Sequence, residues 1–146
     1  METQVPFVNG ESDSPSKSIL TISLAKYLAG HDISEIIEED WSSKATPEQQ
    51  RRFNNQGFNL DPLHEEATLA ALNDKLQEQA WDGVIVGWCT RGSKQFTVLF
   101  EKVVRLAAEE VVRREKNQLD GDRPLKLMFC EGPDDLVNTT LRTFGR

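Results

Sequence analysis

The sequence predicts an α/β domain of three layers: a parallel sheet of about four strands, ordered 2-1-3-4, with helices on both faces. Three observations lead there. Short β-rich apolar segments, the clearest at residues 19–24 and 84–86, alternate with amphipathic stretches and not with hairpin turns, and links of that length between strands imply right-handed parallel crossovers. Both segments are apolar on more than one face, as expected of a strand covered on its two faces. A chain of 146 residues, 38% of them hydrophobic, has room for one core. A domain of this size buries roughly 70% of its unfolded surface, so it needs neither disulfides nor a structural metal.

The elements follow in order. Residues 1–17 gather Glu2, Glu11, Asp13 and Pro15 around Gly10, too little apolar area to offset the entropy of ordering, and are expected to be a disordered tail before a single domain over 18–146. Ile19, Leu20, Thr21, Ile22, Ser23 and Leu24 form the first strand. Residues 25–45 resist assignment: Tyr27, Leu28, Ile33, Ile36 and Ile37 keep a partly helical spacing that Gly30, His31 and Asp32 interrupt. Thr46-Pro47-Glu48-Gln49 combines a capping hydroxyl, a proline at the first helical position and a Gln three residues after the cap, so a helix starts there. Phe53 is its expected anchor, and Asn54 to a left-handed Gly57 its expected stop. Residues 58–63 make a short second strand, expected at an edge because Pro62 has no N–H to donate.

A helix over 65–79 carries Leu69, Leu72 and Leu76 on one face. Residues 81–89, with Val84-Ile85-Val86 beside glycines, suit a central parallel strand. From Ser93 to about residue 117, Phe96, Leu99, Phe100, Val103, Ala107 and Val111 form one stripe of a long amphipathic helix. A turn at 120–124 precedes a fourth strand at 125–130, and Gly132-Pro133-Asp134 opens a closing helix with Leu136, Val137, Leu141 and Phe144. There is no internal repeat and no heptad.

Composition excludes several classes. With 17 Lys and Arg against 24 Asp and Glu the formal charge is −7, which disfavours a nucleic-acid binder, since that affinity rests on clustered cations that release counterions. No stretch reaches the roughly 18 uninterrupted apolar residues of a bilayer span, and the first residues lack the pattern of a secretory leader, so no membrane contact and a cytoplasmic location are expected. Cys89 and Cys130 are too few for a disulfide scaffold, and His31 and His64 lack the dense Cys/His spacing of a zinc site.

The run Asp82-Gly83-Val84-Ile85-Val86-Gly87-Trp88-Cys89-Thr90-Arg91-Gly92-Ser93, followed by Leu99-Phe100-Glu101 and by Phe129, Pro133 and Arg142, resembles a family of small microbial Rossmann-like or flavodoxin-like proteins. That family carries an Asp-Gly-Val-Val-Ile-Gly-x-Gly-x-Arg strand end, a Leu-Phe-Glu helix and a Phe-Asn-Thr-x-Pro strand end. The likeness spans roughly residues 46–146. It implies a flavodoxin-like fold and carries no established reaction. The chain departs from the pattern at Cys89, where Gly is usual, and at Cys130-Glu131-Gly132, where Asn-Thr is usual, so no shared ligand is carried over to that rim.

In an open parallel sheet, ligands bind beyond the carboxyl ends of the strands where the strand order reverses, here between strands one and three. The segment Cys89, Thr90, Arg91, Gly92 and Ser93 leaves strand three there. Its amides, with Arg91 as clamp and Ser93 as cap, would suit a phosphate or carboxylate. A plainer alternative is that Ser93 caps a helix, Gly92 relieves a turn and Arg91 pairs with a carboxylate such as Glu131. Glu131 and Gly132 to Asp134, together with His31, complete the expected rim. His31 beside Asp32 has the makings of a general base or is a surface turn. Cys89 and Cys130 are either lowered-pKa thiols or small core residues, and neither stands in Cys-x-x-Cys. Trp88 either roofs the core or stacks on a flat ligand.

No Gly-x-Gly-x-x-Gly follows strand one, no P-loop occurs, and the hydroxyl-rich phosphate loop of flavin binders is missing, so no cofactor is expected. Two functions remain in view: a small-molecule or anion-binding protein, extending to a minor enzyme acting on an acidic metabolite, and a non-catalytic interaction module or homodimer acting through an edge strand or the long helix.

Overall fold

In the computed structural model, which describes residues 16–117 and 123–145, four strands form one sheet: β1 (Lys17–Ser23), β2 (Phe53–Asn59), β3 (Gly83–Val86) and β4 (Lys126–Phe129). The spatial order is β2-β1-β3-β4 and every pair is parallel, so the expected order 2-1-3-4 is the observed one. β1 pairs with β2 over its whole length and with β3 from Ile19↔Gly83 to Ile22↔Val86. Alternation along each strand sorts the core. Leu20, Ile22, Val84 and Val86 face Leu72 and Leu76 of α4 (Glu65–Gln77) and Leu99 and Val103 of α6 (Thr97–Lys116). Ile19, Ile85 and Met128 face Ile33, Ile37 and Trp41 of α2 (Ile33–Lys44) and Leu136, Val137 and Leu141 of α7 (Leu136–Phe144). Helices therefore cover both faces, and the central strands carry apolar residues on both sides because each face has its own partner layer.

The segment that resisted assignment holds two helices, α1 (Ala25–Ala29) and α2. Gly30 ends α1 at φ 76°, in the left-handed region. Asp32 caps α2, its carboxylate accepting from the Ser34 N–H and hydroxyl. The capping box of α3 (Pro47–Arg52) forms as read, Thr46 Oγ1 accepting from Gln49 N and Gln49 Oε1 from Thr46 N. That helix stops earlier than expected. Phe53 is the first residue of β2, not a helix anchor, and is buried against Trp41 and Phe144.

The second strand lies at residues 53–59, not 58–63, and Gly57 sits in it without a left-handed φ. The sequence Phe-Asn-Asn-Gln-Gly-Phe-Asn has little intrinsic strand preference; its pairing with β1 fixes it, helped by amides that bond outward from the ladder. Asn55 Oδ1 accepts from Thr21 Oγ1 and Asn59 Oδ1 from Ile33 N. β2 is an edge by topology, and Pro62 lies beyond it in a 3-10 turn, Pro62–His64.

The long helix begins at Thr97, not Ser93. Residues Trp88–Gly92 form a short helix, α5, and Lys94–Phe96 a 3-10 turn, and the Ser93 side chain caps neither. The expected tail at 1–17 falls mostly outside the described residues, as does most of the turn at 120–124; Lys17 already belongs to β1. Among the described residues no helix is long and apolar enough to cross a membrane.

Candidate functional site

The carboxyl ends of β1 and β3 diverge into α1 and α5, and a cavity of about 500 Å³ opens beside them. α1 contributes Ala25 and Ala29, with His31 just beyond it. From α2 come Glu35, Ile36, Glu39, Asp40, Ser43 and Lys44. α5 supplies Trp88 and Cys89, and the link from β4 to α7 supplies Pro133 and Asp134. The walls thus mix small apolar side chains and one indole with a row of carboxylates on a single helix face. Glu35, Glu39 and Ser43 are successive i,i+4 neighbours.

Several of these groups are held by one another. Asp40 is buried; its Oδ2 accepts from Val137 N at 2.9 Å, satisfying a free amide in the first turn of α7. Lys44 Nζ lies 3.4 Å from Asp40 Oδ1 and donates to the Asp134 carbonyl. Asp135 Oδ2 accepts from Glu131 N at 2.9 Å and from Thr139 Oγ1 at 3.0 Å. Two arginines fasten the end of β4: Arg91 Nη2 donates to the Cys130 carbonyl at 3.0 Å and Arg142 Nη2 to the Phe129 carbonyl at 3.1 Å.

The expected rim residues separate accordingly. His31, Cys89 and Asp134 come together in the cavity wall. Arg91 does not line it; its guanidinium is spent on the Cys130 carbonyl and not on a Glu131 carboxylate. Gly92 and Glu131 are exposed, Gly132 is buried, and Ser93 faces a separate shallow depression with Lys94 and Gln95. Thr90 is fully buried with its hydroxyl unpartnered. Away from the cavity, His64 pairs with Asp61 at 2.8 Å and Glu101 with Arg105 at 2.8 Å, both on the surface.

The thiols are poor nucleophiles. Burial pushes Cys130 up to about 11, outweighing the Trp88 backbone N–H that favours its thiolate, and burial also raises Cys89. Both stay protonated at neutral pH, the state of a small apolar packing residue. Among the described residues no three His, Cys, Asp or Glu side chains stand close enough to hold a metal ion.

Sequence reasoning missed the α2 wall. The usable signal was Ile33, Ile37 and Trp41 at i, i+4 and i+8 behind an Asp32–Ser34 cap, with Glu35 and Glu39 on another face. The stripe is narrow, and the break before it hid the period. No known protein family, curated protein or solved structure matches this chain.

Proposed function

We propose that this domain binds a small organic molecule in the cavity between α1, α2, α5 and the β4–α7 link, as a binding protein or a minor enzyme. The observation that supports this reading is a cavity of about 500 Å³, lined by apolar side chains and by charged groups in similar number, where β1 and β3 end and the strand order reverses. Ligand sites in open parallel sheets have this size and place. The protonated thiols, which hydrogen-bond to no basic side chain among the described residues, favour binding over nucleophilic chemistry. A cytoplasmic setting belongs to the same reading, as does kinship with the small Rossmann-like or flavodoxin-like proteins, which the strand order supports.

A second reading, an interaction module or homodimer working through the edge strand β2 or the long helix α6, is favoured by Leu63 just beyond β2 and by Val98 and Val112 on α6, which expose large apolar side chains; Leu63 is 70% accessible. One screen separates the two. Melting temperature is measured against a metabolite set for the wild type, Ala29→Trp and Arg91→Ala. Ala29 is an exposed residue of the cavity wall, so the indole fills the site without disturbing the core. A ligand that binds only the folded form raises the melting temperature. The expected result is stabilisation of the wild type and of Arg91→Ala but not of Ala29→Trp. Stabilisation by no compound, or equally in Ala29→Trp, contradicts the binding reading and favours the interaction module.

A further inference from the structure

We infer that the ligand of this cavity is an organic cation, an amine or quaternary ammonium carried on an apolar body; this rests on the binding reading above. Four carboxylates line the cavity, those of Glu35, Glu39, Asp40 and Asp134, against one ammonium, Lys44. Lys44 is already engaged by Asp40 and the Asp134 carbonyl, and Asp40 by Val137 N. The carboxylates of Glu35, Glu39 and Asp134 make no hydrogen bond or ion pair with any described residue. Among the described residues, three exposed carboxylates thus line the cavity with no bonded counter-charge.

Other observations weigh against an anion. Three donors that an anion at this rim would use are engaged from within: the Val137 amide by Asp40, the Glu131 amide by Asp135, and the Arg91 guanidinium by a carbonyl. A bare divalent ion fits no better, since no described trio of ligating side chains converges. Carboxylates from α2 and from the β4–α7 link, in a lining that also holds Trp88, Ile36 and Ala29, suit a larger cation. Its charge is neutralised by Glu35 and Glu39 while its body covers apolar surface, and an indole wall is itself a favourable neighbour for an ammonium. The net charge of −7 adds a long-range attraction of the same sign.

The test uses three probes on one frame: 3-phenylpropylamine, 3-phenylpropanol and 3-phenylpropionate, titrated into the full chain and followed by amide NMR shifts of the cavity residues. The amine is expected to bind about tenfold tighter than the alcohol, a difference of one modest charge contact, and the propionate weakest of all. In the Glu35→Gln, Glu39→Gln double variant, isosteric at two exposed positions, the preference for the amine collapses while alcohol binding is unchanged. Raised salt weakens the amine and leaves the alcohol alone. If the alcohol or the propionate binds at the cavity as tightly as the amine, or the double variant keeps the preference, this inference fails and the binding reading stands. If none of the three shifts any cavity residue at millimolar concentration, both fail.

Discussion

At the scale of single residues, the carboxylates divide into those that hold the fold and those that do not. Asp40 and Asp135 are bound to backbone amides, whereas Glu35 and Glu39 only line the cavity. Asp32 is of the first kind. The Ser34 backbone N–H, then the Ser34 hydroxyl and the Asn59 side chain, hold its carboxyl at about 2 instead of the ordinary 3.8. A group depressed in the folded state stabilises it above the unfolded pKa and loses that contribution as pH falls. The cap should therefore be intact above pH 3.8 and lost as pH drops through about 2. Carbon-detected NMR of the Asp32 carboxyl is expected to show a midpoint near 2, moving upward in Ser34→Ala; a midpoint at the ordinary value would show that the cap is not formed. Residue type alone did not reveal these roles. His31 and Cys89 were legible as rim residues from their places after strands. Arg91 read as a clamp because its charge is visible in sequence, whereas the carbonyl it serves belongs to another strand.

At the scale of elements, the capping box of α3 and the strand β3 were legible because their signals are local: side-chain–backbone pairing within one turn, and the apolar run Val84-Ile85-Val86. β2 was not, because its identity comes from β1. Amide-rich and glycine-containing, it is a strand by virtue of seven paired positions and of α2 packed upon it. Gly57 marks that packing. A Cβ there would overlap Ile33 Cγ2, so no side chain fits while α2 keeps its place. Gly57→Ala is expected to cost about 1–3 kcal/mol in urea denaturation, the usual range for overpacking. Adding Ile33→Ala should cost less than the sum of the two single changes, since each relieves the other. Strict additivity would mean that α2 does not rest on β2 as described. The same contact positions the cavity, because α2 carries both Ile33 and the Glu35–Glu39 wall.

For the whole molecule, two core layers on opposite faces of four parallel strands leave the carboxyl ends of β1 and β3 free to form a site. The parallel, three-layer architecture was readable from alternation of strand and helix; the strand order 2-1-3-4 was expected and is observed, though Pro62, read as marking the edge strand, lies beyond it. The candidate cavity was readable only in location: which edge, but not which helix supplies its wall, nor that carboxylates line it. An arginine in the loop suggested an anion, while the folded rim turns carboxylates toward the cavity and occupies its own amides. The central claim is that ligands enter this cavity and no other surface. The most direct measurement is a map of ¹H–¹⁵N amide shifts for the wild type with the compound that most raises its melting temperature. The account predicts that the largest shifts cluster at Ala29, Glu35, Glu39, Trp88, Cys89 and Asp134. Shifts centred instead on the outer edge of β2 or the exposed face of α6 would contradict it.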